Sequence, residues 1–280
     1  MKKITLIALF ITGFLGANAQ LEPSKEDLAK YIHLMEYIDS KRPLNEAFIR
    51  KADSLYRLDS NSLALKGILG ELNFKLIYDS LRTDRVAQTI GLINDFLTLD
   101  TSASYKIDAY FSLASLYRYG GDFKTSIQYY EKLKLMSLED NMLTGVLNNL
   151  ASTYNYAGQN LKALQTLKQL PDIYQSGGRG SLAADIYLKN GLKDSAMLFA
   201  NYAIEQDTNN IRAYTTKAKV LLTKHDKYNA CVCLNKANQL IIAKKTEALL
   251  NTRDKKNAFV AALYKEVTDV QTLIKQNCAK

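Results

Sequence analysis

The chain has 280 residues, of which 47% are hydrophobic and 23% are charged. These proportions are ordinary for a soluble folded protein, and the length suffices for a sizeable core or for several stacked repeats. Three prolines, thirteen glycines and no tryptophan indicate a mostly helical chain, and no stretch after Gln20 is apolar enough to be a transmembrane span.

The N-terminus has the pattern of a cleavable export signal. Lys2 and Lys3 precede an apolar run over residues 4–15, which is short for a bilayer span, and small residues at 17–19 match a cleavage site. We predict a signal peptide over residues 1–19 and export to the periplasm or the extracellular space of a bacterium. A retained membrane anchor is the alternative, and the lack of a cysteine after the apolar run argues against a lipoprotein.

Positive charge is concentrated towards the C-terminus. The formal net charge is +9, and residues 211–280 alone carry 14 lysines and arginines against 5 aspartates and glutamates. A basic end that meets an anionic envelope glycan or lipid head group is one interpretation. A helical surface kept soluble by interspersed lysines is the other.

The three cysteines also lie in the last part of the chain. Cys231 and Cys233 are two residues apart, so on a helix they point to nearly opposite sides and make poor disulfide partners or joint metal ligands. We expect both to be small buried residues. Cys278 reaches another cysteine only if the C-terminus folds back.

Helical patterns follow one another from the predicted mature N-terminus. Apolar residues recur at helical spacing over 28–38, and Arg42-Pro43 ends that helix. Further helices are predicted over 47–58, 63–81 and 85–99. These elements form two hairpins whose repeat pattern is loose.

A much clearer helical hairpin lies between Tyr110 and Leu133, with helices predicted over 105–119 and 124–136 and a turn at Gly121. Its two helices carry a small residue each, 12 positions apart. The same separation recurs in three further copies, so that the four pairs are Ala114 and Ser126, Ala151 and Ala163, Ala184 and Ala196, and Ala218 and Ala230. The copies themselves are 37, 33 and 34 residues apart, a regularity that unrelated hairpins would not keep.

This pattern resembles the tetratricopeptide repeat family, whose unit of about 34 residues is a helical hairpin. The family has small residues at the helix crossing, an aromatic residue three positions after the first of them, and a glycine before the second helix. The matching aromatic residues are Tyr117, Tyr154 and Tyr187, and the matching glycines are Gly158 and Gly191. The fourth copy departs from the pattern, since Leu221 replaces its aromatic residue and His225 replaces its turn glycine.

The resemblance implies an all-α, right-handed superhelical solenoid of antiparallel hairpins. We predict degenerate hairpins over 20–102, repeats over 103–243 and a C-terminal capping segment over 244–280. Residues 258–276 carry an apolar stripe at spacings of four and three, so we expect one amphipathic helix over the last repeat. Docking of this helix on a partner or on a membrane surface is the alternative.

Residues that could carry catalysis or hold a metal are sparse. His33 and His225 have no cysteine or carboxylate at metal-ligand spacing, and no Ser/His/Asp or Cys/His set stands out. The glycine-rich stretch 176–181 lacks the ending of a phosphate-binding loop, so we expect a flexible connection between repeats. We expect no cofactor, no metal, no nucleic-acid partner and no enzymatic activity. An enzyme assembled from distant residues is the alternative.

In the resembled family, the first helices line a concave groove that holds a peptide or a partner helix. The family's groove positions, transferred to this sequence, imply asparagines that pair with an extended backbone and cations that hold a carboxylate. The implied set is Arg118, Tyr119, Asn148, Asn149, Ser152, Asn155, Tyr156, Asp185, Lys189, Arg212, Thr215 and Lys219. The sequence therefore predicts a non-catalytic protein- or peptide-binding scaffold of the bacterial cell envelope, with binding of anionic glycan or lipid by the basic end as the alternative.

Overall fold

The computed structural model describes residues 29–30, 33–34, 46–99, 103–170 and 177–278. The signal peptide predicted over 1–19 and most of the helix predicted over 28–38 lie outside the described residues. Every regular element in the described ranges is helical, which confirms the all-α prediction there. Within those ranges, no helix has the length and apolar character needed to cross a membrane.

The chain divides into two compact units between Gly120 and Gly121. In the first unit the structure describes α1 (Glu46–Leu58), α2 (Leu63–Ser80), a 3₁₀ turn (Thr83–Arg85), α3 (Val86–Leu99) and α4 (Ala103–Tyr119). Consecutive helices pack on one another, and a leucine-rich core that includes Leu65, Leu69 and Leu72 lies between them. A two-pronged ion pair ties the turn to α1, because Arg85 donates hydrogen bonds of 2.7 and 2.8 Å to Asp53.

The second unit begins with the helix that follows Gly121. Its described helices are α5 (Phe123–Lys134), α6 (Asp140–Tyr156), α7 (Asn160–Leu167), α8 (Gly177–Lys189), α9 (Lys193–Gln206), α10 (Ile211–Thr223), α11 (Lys227–Ala243), α12 (Thr246–Asn251) and α13 (Ala258–Asn277). Helices α6 and α7, α8 and α9, and α10 and α11 pack as three successive hairpins. The first helices α6, α8 and α10 also contact one another in that order, so their side chains share one surface.

The small residues of the repeat pattern are completely buried, as predicted. Within the second unit the fully buried residues of this pattern are Ser126, Ala151, Ala163, Ala184, Ala196, Ala218 and Ala230. The repeat tyrosines of this unit also belong to the packing. Tyr187 stacks on Phe199 with 5.2 Å between ring centres, and the Tyr154 hydroxyl donates a 2.8 Å hydrogen bond to Glu131.

Each of the three hairpins turns through three residues, and the middle residue has a positive φ. Gly158 and Gly191 have φ of 73° and 77°, and His225 has φ of 61° in the fourth copy. Glycine takes this conformation without a Cβ clash, whereas histidine is strained there. Local hydrogen bonds hold the fourth turn in place, since the Asp226 side chain accepts from the Asn229 N–H at the start of α11.

The glycine-rich stretch 176–181 is helical from Gly177 onward, so the prediction of a flexible connection there is wrong for those residues. Close helix packing explains why a glycine occurs at position 180. A Cβ at this position would lie 3.1 Å from the Tyr202 ring and 3.2 Å from the Ala203 Cβ. The missing side chain therefore lets α8 approach α9 closely, and this packing outweighs the low helix propensity of glycine.

The C-terminal amphipathic helix predicted over 258–276 is confirmed as α13. It starts with a cap, because the Asn257 side chain accepts hydrogen bonds from the N–H groups of Phe259 and Val260. Phe259, Val260, Val267 and Val270 are buried, and the helix packs on α11 and α12. Its path also brings it onto the surface formed by the first helices.

The strained turn gives a stability prediction. Replacement of His225 by glycine is expected to raise the free energy of unfolding by about 0.5–1 kcal/mol, because the positive φ no longer opposes a Cβ. Replacement of Gly191 by alanine, where nothing lies within 4 Å of the added Cβ, is expected to lower it by about 1 kcal/mol through the backbone alone. Urea unfolding of the two variants measures both values, and a destabilised His225→Gly protein would contradict the strain argument.

Candidate functional site

A cavity of about 250 Å³ lies in the second unit between the first helices α6, α8 and α10 and the C-terminal helix α13. The first helices supply Asn155, Tyr156, Asp185, Lys189, Ile211, Arg212, Thr215, Thr216 and Lys219 to its wall. Helix α13 supplies Ala262, Lys265, Glu266 and Asp269. The wall is therefore rich in charged groups of both signs.

Arg212 is the centre of this wall. It lies in the first turn of α10, whose start is fixed by the Asn210 side chain accepting from the Ala213 N–H. Its Nη2 donates hydrogen bonds of 2.8 Å to the Tyr156 hydroxyl and to Glu266 Oε1. The nearby Glu266 carboxylate raises the pKa of Arg212 beyond its already high ordinary value, so the guanidinium stays charged.

Asp185, Lys189 and Asn155 form a second polar group on the same wall. Asn155 Nδ2 donates to Asp185 Oδ2 at 2.8 Å, and Lys189 Nζ donates to Asn155 Oδ1 at 2.9 Å. Lys189 Nζ also lies 2.9 Å from the Asp185 carboxylate. Burial raises the pKa of Asp185, but the charges of Lys189 and Arg212 and the hydrogen bond from Asn155 outweigh burial and leave the pKa below its ordinary value.

Asp269 on α13 completes the network. Its carboxylate lies 3.3 Å from Lys219 Nζ of α10 and 3.0 Å from Lys265 Nζ on its own helix. Burial raises the pKa of Asp269, and the two lysines more than offset that effect, so the net shift is downward. Two carboxylates three residues apart on α13, Glu266 and Asp269, thus pair with two cations of α10.

Aromatic rings hold the start of α13 beside this network. Phe259 packs edge-on against Tyr156 at 5.1 Å between ring centres, and Phe123 stacks on Tyr156 at 6.0 Å. Gly121 lies next to the first residue of α13, because a Cβ on it would be 2.8 Å from the Ala258 nitrogen. Its φ of 84° and this close approach both require glycine.

A disulfide between Cys231 and Cys278 fixes the other end of α13 to α11, with a Cα–Cα distance of 5.6 Å. The expectation that Cys231 is a buried small residue is therefore wrong, because the C-terminal helix folds back far enough for Cys278 to reach it. Cys233 is buried, as predicted, and its thiol is free. Burial raises its thiol pKa.

Only some of the predicted partner-binding residues lie together in the structure. Asn155, Tyr156, Asp185, Lys189, Arg212, Thr215 and Lys219 come together in the cavity wall, and we call these seven residues the groove surface. Asn148, Asn149 and Ser152 are half-buried on α6 outside that wall, and Asn149 Nδ2 donates to the Gly145 carbonyl. Arg118 and Tyr119 belong to the first unit and are only 9% and 7% exposed.

Glu266, Asp269 and Phe259 of α13 were missed as site residues. One signal for them was present in the sequence: two of the few acidic residues in the basic C-terminal segment lie one helical turn apart. Their facing partners could not be assigned from spacing along the chain. The described residues contain no group of three or more His, Cys, Asp or Glu side chains that could hold a metal ion.

Comparisons with known proteins agree with this architecture. The tetratricopeptide repeat family model matches residues 107–139. Yeast Tom70 is similar in structure with a TM-score of 0.50 and 18% identity, over 89% of this chain and 47% of Tom70. No curated protein matches the sequence.

Two further structures are similar at lower scores. YrrB, a TPR protein with an unusual peptide-binding site, has a TM-score of 0.46 and 17% identity, over 69% of this chain and 97% of YrrB. MamA from Desulfovibrio magneticus RS-1 has a TM-score of 0.48 and 12% identity, over 62% of this chain and 96% of MamA.

The Arg212 network gives a second stability prediction. Arg212→Met is expected to lower the free energy of unfolding by about 1–2 kcal/mol. The reason is that the Glu266 carboxylate and the Tyr156 hydroxyl then lose the half-buried guanidinium that donates hydrogen bonds to both. Lys224→Met is the control, since it breaks an exposed ion pair with Asp194, and no measurable change is expected. Thermal and urea unfolding measure both, and equal effects of the two variants would contradict the central place of Arg212.

The lowered pKa values of Asp185 and Asp269 give a pH prediction. A carboxylate whose folded-state pKa is depressed stabilises the fold above its unfolded pKa of about 4, and this contribution is lost as pH falls through the folded-state pKa. Asp269→Asn is therefore expected to lower the melting temperature at neutral pH and to lower it less at about pH 3. The control is Thr272→Ala, at an exposed position of α13. The difference in melting temperature between this variant and wild type should not vary with pH.

Proposed function

The chain carries a tetratricopeptide repeat, and from this premise we propose that it is a non-catalytic scaffold which binds a protein or peptide partner on the groove surface of its second unit. The observation that carries the proposal is the convergence of residues from three successive first helices on one cavity. The groove surface offers three cations, one carboxylate and side chains that both donate and accept hydrogen bonds. Such a mixture suits the backbone and charged side chains of a peptide.

We also propose that the protein acts in the bacterial cell envelope. The support is the N-terminal pattern of two lysines, a short apolar run and small residues at 17–19. The disulfide between Cys231 and Cys278 agrees with an oxidising compartment, because cytosolic proteins are usually kept reduced.

Binding of anionic glycan or lipid head groups by the basic end has weaker support. Arg212 and Lys219 of that segment face Glu266 and Asp269 in the cavity, and Lys224 pairs with Asp194. Glu266 and Asp269 already count in the charge balance of residues 211–280, so only the pair with Asp194 lowers the charge excess further. All three cations are nevertheless engaged by carboxylates of the chain itself. Salt distinguishes the two functions, since binding by exposed lysines should weaken steeply with ionic strength.

Pull-down from an envelope extract tests the proposed scaffold. The bait is the full chain, either wild type or with Lys189, Arg212 and Lys219 replaced by alanine. We expect the triple variant to lose most of a partner that wild type recovers, because the groove surface loses its three cations. The matched control replaces Lys224, Lys227 and Lys244, which are exposed elsewhere on the second unit, and should recover the partner like wild type.

Only baits that unfold cooperatively, and are therefore folded, are compared. Loss of a partner then reflects a change in the groove surface and not unfolding of the bait. Equal recovery by all three baits would assign the partner to another surface. Equal loss in the groove variant and in the control would point to a general charge effect and favour the basic end.

A further inference from the structure

The groove surface already has an occupant, which is the chain's own C-terminal helix. Glu266 of α13 accepts from Arg212 at 2.8 Å, and Asp269 lies 3.3 Å from Lys219. Phe259 packs on Tyr156 at the start of the helix. Three of the residues predicted to bind a partner, Tyr156, Arg212 and Lys219, are therefore residues that α13 contacts.

The fit between α13 and this surface is partial. A cavity of about 250 Å³ remains between the helix and the first helices. The central ion pairs are partly open to solvent, because the side chains of Arg212 and Glu266 are 23% and 43% exposed and those of Lys219 and Asp269 are 38% and 32% exposed. Half-exposed ion pairs around a cavity hold a helix less firmly than a close-packed core does.

The pattern of α13 shows what kind of chain the surface accepts. Its buried residues Phe259, Val260, Val267 and Val270 form one apolar face, and Glu266 and Asp269 lie one helical turn apart beside that face. A different helix with the same apolar spacing and two carboxylates would cover the same part of α11 and α12 and pair with the same cations. Replacement of α13 by such a helix would then keep both the apolar contacts and the ion pairs.

The connections of α13 limit how easily it leaves. Its N-terminal end follows a linker in which Thr252, Asp254, Lys255 and Lys256 are exposed. Its C-terminal end is tied to α11 by the disulfide at Cys278. Two tethers keep the helix at a high local concentration beside the surface, which disfavours any competing helix in solution.

We propose that the partner recognised by the groove surface is an acidic amphipathic helix of another protein, and that α13 is an intramolecular occupant which this helix replaces. The inference rests on the proposed function and specifies its partner chemistry. The cations Arg212 and Lys219 select the acidic helix, and the disulfide sets how strongly α13 competes with it.

A labelled synthetic peptide of residues 258–277 serves as the probe, and fluorescence anisotropy measures its binding to full-length proteins. We expect the Kd to fall at least tenfold from wild type to a Cys278→Ser, Glu266→Lys, Asp269→Lys variant, whose own helix is untied and repelled by the groove surface. Cys278→Ser alone should bind with intermediate affinity. A probe carrying Glu266→Lys and Asp269→Lys should bind the triple variant at least tenfold more weakly than the original probe.

A charge-swapped protein is the matched control. Arg212→Glu and Lys219→Glu, added to Glu266→Lys and Asp269→Lys with Cys278 retained, restore the pairing of α13. The charge-reversed probe, which matches this surface, should bind this protein as weakly as the original probe binds wild type. Circular dichroism verifies the fold of each variant. Cys278→Ser keeps every contact of the groove surface, so it remains informative if the triple variant unfolds.

Equal binding of the original and charge-reversed probes to Cys278→Ser and to the triple variant would overturn the proposal. Dimers formed by Cys278→Ser, seen by light scattering, would also overturn it by identifying the occupant as α13 of a second copy. The pull-down is independent of these results. Loss of a partner with the Lys189, Arg212 and Lys219 variant, combined with no selective probe binding, would retain the scaffold and reject the acidic helix.

Discussion

Close approach of paired helices is the constraint on which the second unit depends. Each hairpin has a small residue on both helices, and pairs such as Ala151 and Ala163 are completely buried. Larger side chains there would separate the helices and change the spacing between successive hairpins. Because the spacing repeats, equivalent positions of α6, α8 and α10 fall on one surface. Residues far apart in sequence, such as Asn155 and Lys219, thereby meet in one cavity wall.

That convergence has an electrostatic consequence. Asp185 has its partners within the first helices, since Asn155 and Lys189 both lie within hydrogen-bond distance. Arg212 has the Tyr156 hydroxyl there, and Glu266 of α13 supplies a carboxylate. A half-buried guanidinium without an anion is costly, so α13 is attracted to this surface by charge as well as by its apolar face.

The parts of the structure that follow from local chemistry could be predicted from the sequence. Small residues at a separation of 12 and a turn glycine specify each hairpin, and the structure places a positive φ even at His225, where the glycine is missing. The groove surface followed from the family resemblance because first helices present equivalent positions. The glycines at 177–180 were misread because clustered glycines usually mark loops, whereas Gly180 meets the Tyr202 ring and Ala203 of α9.

The contacts of α13 with Arg212, Lys219 and Cys231 could not be predicted, because they join distant parts of the chain. Arg212 and Glu266 are 54 residues apart, and Cys231 and Cys278 are 47 apart. An amphipathic stripe specifies that a helix must be covered, and it does not specify which surface covers it.

Helix α13 combines the capping role that the sequence predicted with a second role, contact with the chain's own groove surface, that it did not predict. Its apolar face packs on α11 and α12, which protects the exposed end of the last repeat in the manner of a cap. Its acidic residues lie against the groove surface, in the manner of a ligand. A cap alone would not need Glu266 and Asp269 to face Arg212 and Lys219, since any polar residues would serve at solvent. The charge match is therefore the part of α13 that capping leaves unexplained, and it is the part that a partner helix would have to reproduce.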